Sequence, residues 1–270
     1  MPRLGVTVSF VECDDMKGWE KAFTKKTTHV FIESPANPTL EIVDIAAIAK
    51  LCKKHKARLI IDNVFAGPTI QKSFELGADV VVYSTTKFLD GHGRTLGGAV
   101  LGSKKFMLET FLPYQRHTGA ALSPFNAWVI LKALESYTLR IDQHCKSAAK
   151  IAKFLESHPK VERVIYPGLK SHPQYNVAKK QMENGGPIVT FFIKGGKKAA
   201  FKFQNKLDII TISNNIGDAK SLMTHPSSTT HQSVDKKVRE KNGITDSLLR
   251  LSVGLEDADD LINDLKNALK

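Results

Sequence analysis

The sequence predicts an α/β fold in which a mostly parallel sheet is followed by a smaller α+β domain. From Thr28 onward, short apolar runs alternate with helical stretches, which is typical of parallel strands joined by crossover helices. The run Leu59-Ile60-Ile61 contains no polar position, as expected for a strand that is buried on both faces. We therefore expect the larger domain to lie in the first half of the chain.

The predicted boundary between the two domains falls inside a long helix. Ser123-Pro124 has the form of a helix start, and the apolar spacing from Ile141 to Leu155 continues the helical pattern. We expect a larger domain over residues 1–145 and a smaller one over 146–270. The strands are predicted at 29–32, 58–61, 79–83, 161–166, 188–193, 209–213 and 248–253, and further helices at 43–55, 70–76, 173–182, 199–207 and 257–269.

Composition narrows the class of protein and its partners. The 270 residues are 42% hydrophobic, and no apolar run approaches the roughly 20 residues of a membrane-spanning helix. Because the start, Met1-Pro2-Arg3-Leu4, also lacks a signal-peptide pattern, we expect a cytoplasmic protein with no membrane partner. The net charge of +12 is spread over pairs such as Lys53-Lys54 without interleaved aromatic residues, so nucleic acid is not an expected partner.

Lys87 ends the segment that most strongly indicates chemistry. A strand ending at Tyr83 runs into Ser84-Thr85-Thr86-Lys87, and a glycine-rich stretch follows at 91–98. Hydroxyls one and three residues before a lysine can hold a phosphate while the amine reaches an aldehyde, provided that the site lowers the pKa of the amine. Such sequences also occur on protein surfaces, and the motif alone leaves that alternative open.

Asp62 follows three apolar residues at the end of the preceding buried strand. A carboxylate in this position is costly unless a partner is present. The pyridinium nitrogen of pyridoxal 5′-phosphate (PLP) would be such a partner, and its protonated ring acts as an electron sink. A helix cap or a loop aspartate is the alternative.

Five ordered segments together resemble the cystathionine gamma-synthase family of PLP enzymes, the Cys/Met-metabolism group with the aspartate aminotransferase-like fold type I. The resemblance runs from the first residues to the last. The segments are Glu33-Ser34-Pro35-Ala36-Asn37-Pro38-Thr39, Ile61-Asp62-Asn63, Ser84-Thr85-Thr86-Lys87 with its glycine tail, Asn215-Ile216-Gly217-Asp218 through Thr224-His225-Pro226, and Leu249-Arg250-Leu251-Ser252-Val253-Gly254.

The resemblance implies a role for each matched residue in cofactor binding. Lys87 would carry PLP through its amine and move protons, and Asp62 would pair with the pyridine nitrogen. Ser84 and Thr86 would hold the phosphate, and Asn37 would lie near the phenolic oxygen of the cofactor. The family further implies a homo-oligomer, a dimer of dimers.

The resemblance also implies a substrate-binding pair, Arg250 and Asn215. The planar fork of Arg250 is suited to a bidentate grip on an α-carboxylate, with a surface salt bridge as the alternative. His225 and His231 invite a metal site, but no carboxylate or cysteine lies at ligand spacing, and no metal is expected. Asp218 is interpreted as structural.

Three further segments, 90–98, 119–128 and 214–218, favour γ-replacement over elimination. Within the family they look most like the sulfhydrylases that join sulfide to O-succinylhomoserine, giving homocysteine and succinate in methionine biosynthesis. Sulfhydrylases that use O-acetylhomoserine are the second alternative. Cystathionine gamma-synthase and the cystathionine or methionine gamma-lyases follow.

The resemblance contains one departure, at the start of the chain. Leu4-Gly5-Val6-Thr7-Val8 resembles the middle of the family's large domain, so we expect the family's N-terminal third to be lacking. That portion supplies a glycine-containing phosphate loop, a tyrosine that stacks on the cofactor, and an arm that reaches the neighbouring subunit. An inactive fragment that needs a complementary N-terminal half is therefore a further hypothesis.

Overall fold

The computed structural model describes residues 1–270, except for the side chain of Pro2. Its first sheet has four strands in the order β1-β2-β3-β4. Strands β1 to β3 are parallel, and β4 pairs antiparallel with β3. The strands β1 to β4 span His29–Glu33, Arg58–Asp62, Val80–Ser84 and Gly98–Gly102. The predicted mostly parallel sheet is thus confirmed, with the unpredicted strand β4 added at one edge.

Six α-helices accompany this sheet in the first half of the chain, and α2, Ile45–His55, packs against β2. Helix α2 begins after Asp44, whose side chain accepts a 2.9 Å hydrogen bond from the backbone N–H of Ala47. The helix predicted at 70–76 is wrong: a short helix lies at Gly67–Ile70, and Gln71 after it is extended, with its buried side chain donating to the Ser34 carbonyl at 2.7 Å. Helices α1 to α6 span Met16–Ala22, Ile45–His55, Gly67–Ile70, Lys104–Phe106, Leu112–Thr118 and Pro124–Leu134, with a 3₁₀ turn at Pro2–Leu4 and π-helical turns at Thr85–Leu89 and Met107–Phe111.

Helix α7, Tyr137–Ser157, connects the two halves of the chain. Its N-terminal part places Ile141 and Cys145 in one core with Phe88, whereas its C-terminal part places Ile151 and Leu155 in another core. The change from one core to the other falls near residue 146. We therefore propose 1–145 and 146–270 as the two domains.

The second sheet has five strands in the order β5-β6-β9-β8-β7, and only β7 and β8 pair in parallel. Strands β5 to β9 span Val161–Ile165, Ile188–Ile193, Thr211–Ile212, Leu222–Thr224 and Leu248–Ser252. Helices α8 to α11 span Tyr175–Gln181, Gly196–Gln204, Lys236–Lys241 and Ala258–Ala268, and a 3₁₀ turn covers Pro226–Ser228. None of the helices described has both the length and the apolar character needed to span a membrane.

The register of the first sheet brings polar strand ends together. Glu33, the last residue of β1, is the register partner of Asp62, the last residue of β2. Strand β3 ends beside them at Ser84, because Asp62 is in turn the partner of Val82. The carboxyl ends of parallel strands are where ligands bind in open α/β sheets.

Candidate active site

A cavity of about 600 Å³ opens at these strand ends, facing the second sheet. Its walls come from the ends of β1 to β3, the glycine-rich segment after Lys87, the loop after β7, and β9. All the site residues predicted from the sequence line it: Asn37, Asp62, Ser84, Thr86, Lys87, Asn215 and Arg250. The fold therefore brings together residues that are more than 200 positions apart in the chain.

Lys87 lies in the π-helical turn that follows β3, with a non-helical backbone at φ −93° and ψ −128°. Its Nζ donates a hydrogen bond to Oδ1 of Asn215. Gly217 makes this approach possible, since a Cβ there would lie 2.5 Å from the backbone nitrogen of Phe88. Burial, followed by the positive charge of Arg250, lowers the pKa of the Lys87 amine, which favours the neutral, nucleophilic form.

Two carboxylates lie side by side at the ends of β1 and β2. Asp62 accepts a 3.1 Å hydrogen bond from the backbone N–H of Val64, and burial raises its pKa. Burial and then the charge of Asp62 raise the pKa of Glu33 to about 7, while the Asn37 backbone N–H and Arg250 oppose that shift. Glu33 was not predicted as a site residue, although it ends its strand as Asp62 does and begins one of the segments that resemble the family.

Arg250 is 2% exposed and lies on β9 with most of its donors engaged. Nη1 donates to Oδ1 of Asn37 at 2.6 Å, and Nη2 donates to the carbonyls of Asn214 and Asn215 at 3.0 and 3.3 Å. Its buried Nε has no hydrogen-bond partner among the described residues. Burial lowers the pKa of Arg250 to about 10, with Glu33 acting against the shift, so the guanidinium remains charged at neutral pH.

The hydroxyls before Lys87 face the same cavity. Oγ1 of Thr86 accepts a 3.0 Å hydrogen bond from the backbone N–H of Gly97, which holds the glycine-rich segment against the turn. Ser84 precedes the turn, but its side chain makes no capping hydrogen bond. Arg94 and Leu96 also line the cavity and were not predicted as site residues.

His225 and His231, the two histidines that invite a metal site, follow β8, and both ring nitrogens of His225 have hydrogen-bond partners within the protein. His225 is 2% exposed, with Nδ1 at 2.7 Å from Oγ of Ser228 and Nε2 at 2.8 Å from the carbonyl of Asp246. Across the described residues, no group of three or more His, Cys, Asp or Glu side chains is arranged to hold a metal ion. Asp218 accepts a 3.1 Å hydrogen bond from the backbone N–H of Lys220, within its own loop.

The whole chain, residues 1–270, matches the family model described as "Cys/Met metabolism PLP-dependent enzyme". The chain belongs to this family. Its members are PLP-dependent enzymes, and the predicted cofactor and fold type I are thereby confirmed.

Relatives in this family carry several activities. An O-succinylhomoserine sulfhydrylase of Mycobacterium tuberculosis is 49% identical over all of this chain and 67% of the relative. An L-methionine gamma-lyase of Treponema denticola is 43% identical over all of this chain and 68% of the relative. The crystal structure of cystathionine gamma-lyase from Lactobacillus plantarum complexed with L-serine has a TM-score of 0.95 and 37% identity, covering 99% of this chain and 70% of that one. The chain thus spans about two thirds of the length of these family members.

The polar and charged side chains that line the cavity fit PLP. An amine with a lowered pKa at Lys87 and a carboxylate at Asp62 are matched to an aldehyde and a pyridinium nitrogen. Ser84 and Thr86 offer hydroxyls for a phosphate, and the charged guanidinium of Arg250 in the cavity wall suits a carboxylate. Asn37 reaches the cavity but is already bonded to Arg250, so its contact with the cofactor would be shared with that bond.

Proposed function

We propose that this enzyme catalyses γ-replacement on an O-acylhomoserine, with O-succinylhomoserine and sulfide as substrates and homocysteine and succinate as products. The observation that carries the proposal is the placement of Lys87 and Arg250 in one cavity beside Asp62. The O-succinyl assignment draws its support from the 49% identity to an O-succinylhomoserine sulfhydrylase. Methionine biosynthesis is the pathway that this reaction would serve.

Each side chain has a task in this reaction. When bound, PLP stabilises negative charge at the α-carbon of the substrate. Arg250 binds the α-carboxylate and fixes the amino acid relative to Lys87, since Asn37 already holds its guanidinium. Lys87, with its lowered pKa, accepts the α-proton at Nζ and redelivers protons as the γ-substituent leaves. Asn215 orients that Nζ through its Oδ1. Asp62 would pair with the ring nitrogen of the bound cofactor and favour its protonated form.

Elimination is the second candidate, because L-methionine gamma-lyases are 42–43% identical to this chain. After the γ-substituent leaves, sulfide adds at the γ-carbon in replacement, whereas in elimination the unsaturated amino acid is released and hydrolysed to 2-oxobutanoate and ammonia. We expect the enzyme with O-succinylhomoserine and sulfide to form homocysteine faster than 2-oxobutanoate and ammonia. Faster release of 2-oxobutanoate would reject replacement in favour of elimination.

A third candidate is a chain that needs a complementary N-terminal piece for activity. It is motivated by the two-thirds span relative to the family members. The test compares PLP retention and homocysteine formation by the purified chain alone and with the N-terminal third of the M. tuberculosis relative. Activity that appears only with the added piece supports this candidate, and full activity of the chain alone rejects it.

We also propose self-association, as in a dimer of dimers. Phe125, Trp128 and Leu131 lie on one helix, α6, and are 69%, 56% and 60% exposed. Apolar side chains of this size on one helix are typical of an association surface. Light scattering that gives the mass of a single chain at micromolar concentration would reject the proposal.

A further inference from the structure

Arg94 brings a second guanidinium into the cavity, in addition to Arg250. It belongs to the glycine-rich segment after Lys87, and its side chain is 47% exposed. Lys87 and Arg250, the other two cations that line the cavity, have roles in the proposed reaction, whereas Arg94 has none so far. An exposed cation in a substrate cavity is suited to an anionic part of the substrate.

One edge of the Arg94 guanidinium is fixed by Asp90. Nε and Nη2 donate to Oδ1 of Asp90 at 3.0 and 2.8 Å, and the backbone N–H of Arg94 donates to Oδ2 at 2.7 Å. Asp90 is fully buried, so its carboxylate is a rigid support. The guanidinium is therefore held in one orientation before any ligand arrives.

Nη1 of the same guanidinium is free to bind, whereas Nη2 forms a further hydrogen bond of 3.5 Å to the Asp90 carbonyl. None of the hydrogen bonds among the described residues uses Nη1 of Arg94. Nη1 carries two N–H groups, and charge-assisted hydrogen bonds from such groups suit a carboxylate. Leu96, 78% exposed, lies two residues further along the same wall and offers an apolar contact for methylene groups.

We propose that Arg94 binds the terminal carboxylate of the acyl group and thereby selects a dicarboxylic ester, O-succinylhomoserine, over O-acetylhomoserine. This inference rests on the proposed O-acylhomoserine substrate. O-Succinylhomoserine carries two carboxylates, one for Arg250 and one for Arg94. O-Acetylhomoserine carries only the first, so Arg94 contributes nothing to its binding.

The test measures the affinities of both esters by calorimetry on Lys87→Ala protein loaded with PLP, so that no turnover occurs. The complementary N-terminal piece is added if PLP retention requires it. We expect Arg94→Gln to weaken O-succinylhomoserine binding at least about tenfold and to leave O-acetylhomoserine within about twofold. Arg94→Lys, which keeps the charge without the fork, should give an intermediate loss. Arg116→Gln, an exposed arginine of α5 outside the cavity, is the matched control.

O-Acetylhomoserine serves as an internal control for folding, because a misfolded variant would lose affinity for both esters. An equal loss for both esters would mean that Arg94 acts only by supporting the Asp90 turn, and an unchanged ratio with weaker PLP binding would mean that it serves the phosphate. Either result overturns the inference. So does equal affinity for both esters, or no binding of O-succinylhomoserine, in the Lys87→Ala protein that retains Arg94. Product analysis tests the proposed reaction separately. If the products are those of elimination but Arg94→Gln still weakens only O-succinylhomoserine binding, the proposed reaction is rejected and the role of Arg94 is not.

Discussion

Nη1 of Arg250 donates a 2.6 Å hydrogen bond to Oδ1 of Asn37 and so joins the two sheets across the cavity. Asn37 follows β1 of the first sheet, whereas Arg250 lies on β9 of the second. This bond, together with those from Nη2 to the Asn214 and Asn215 carbonyls, orients the guanidinium before a substrate carboxylate binds. The guanidinium is almost fully buried, so we expect its replacement to affect substrate binding more than cofactor binding.

Arg250→Lys should weaken substrate binding more than cofactor binding. A lysine ammonium keeps the positive charge. It lacks the planar set of donors with which Arg250 can bond to Asn37 and to a substrate carboxylate at the same time. We expect KM for the amino-acid substrate to rise at least about tenfold, with the Kd for PLP changing by less than about threefold. Steady-state kinetics and PLP titration check this, and comparable losses in both quantities would contradict the assigned role.

Glu33 should make stability depend on pH. Its folded-state pKa is raised from 4.5 to about 7 by burial and by Asp62. A raised carboxyl pKa favours the folded state below about pH 4.5, and this contribution is lost as pH rises to about 7. The loss between these limits is at most roughly 3 kcal/mol in the free energy of unfolding.

The comparison that isolates Glu33 is Glu33→Gln against the wild type in urea unfolding at several pH values from 5 to about 8. Buried His144, His172 and His225 have lowered pKa values and act in the opposite direction, so the difference between the two proteins is the informative quantity. We expect the difference to move in favour of the glutamine variant as pH rises. Glu20→Gln, at an exposed position, is the control, and a pH-independent difference for Glu33→Gln would contradict the assignment.

Arg140 should stabilise the segment that follows Lys87. It is 6% exposed and donates to the carbonyls of Phe88, Leu89 and Ala133 at 3.0, 3.3 and 3.0 Å. Arg140→Met would leave these carbonyls without their donor. We expect the free energy of unfolding to fall by roughly 2–4 kcal/mol.

Denaturant unfolding checks this expectation against Arg116→Met, an exposed position where we expect a change below about 0.5 kcal/mol. Similar small changes in both variants would show that the buried guanidinium does not anchor the segment.

The parallel strands could be predicted because β1 to β3 are short apolar runs that alternate with segments whose apolar residues have helical spacing. Strand β4 could not, since Gly98–Gly102 begins and ends with glycine and forms a strand only by pairing with β3. Strand β8, Leu222–Thr224, is only three residues long and depends on its partner β9. In each case the strand follows from tertiary pairing rather than from local preference.

The site shows the same division. Lys87, Asp62 and Arg250 belong to sequence motifs, and the fold brings them into one cavity. Glu33 and Arg94 were missed because their surroundings arise from contacts between side chains. Glu33 acquires its raised pKa in part from its register partner on β2, and Arg94 acquires its orientation from the buried Asp90 carboxylate.

The most direct test of the central claim is to find which lysine carries the cofactor. The protein loaded with PLP is reduced with borohydride, digested, and analysed by mass spectrometry. We expect the phosphopyridoxyl adduct on Lys87, and loss of the visible absorption of lysine-bound PLP in Lys87→Ala, because burial and Arg250 favour the neutral amine there. An adduct on another lysine, with Lys87 unmodified, would contradict the claim.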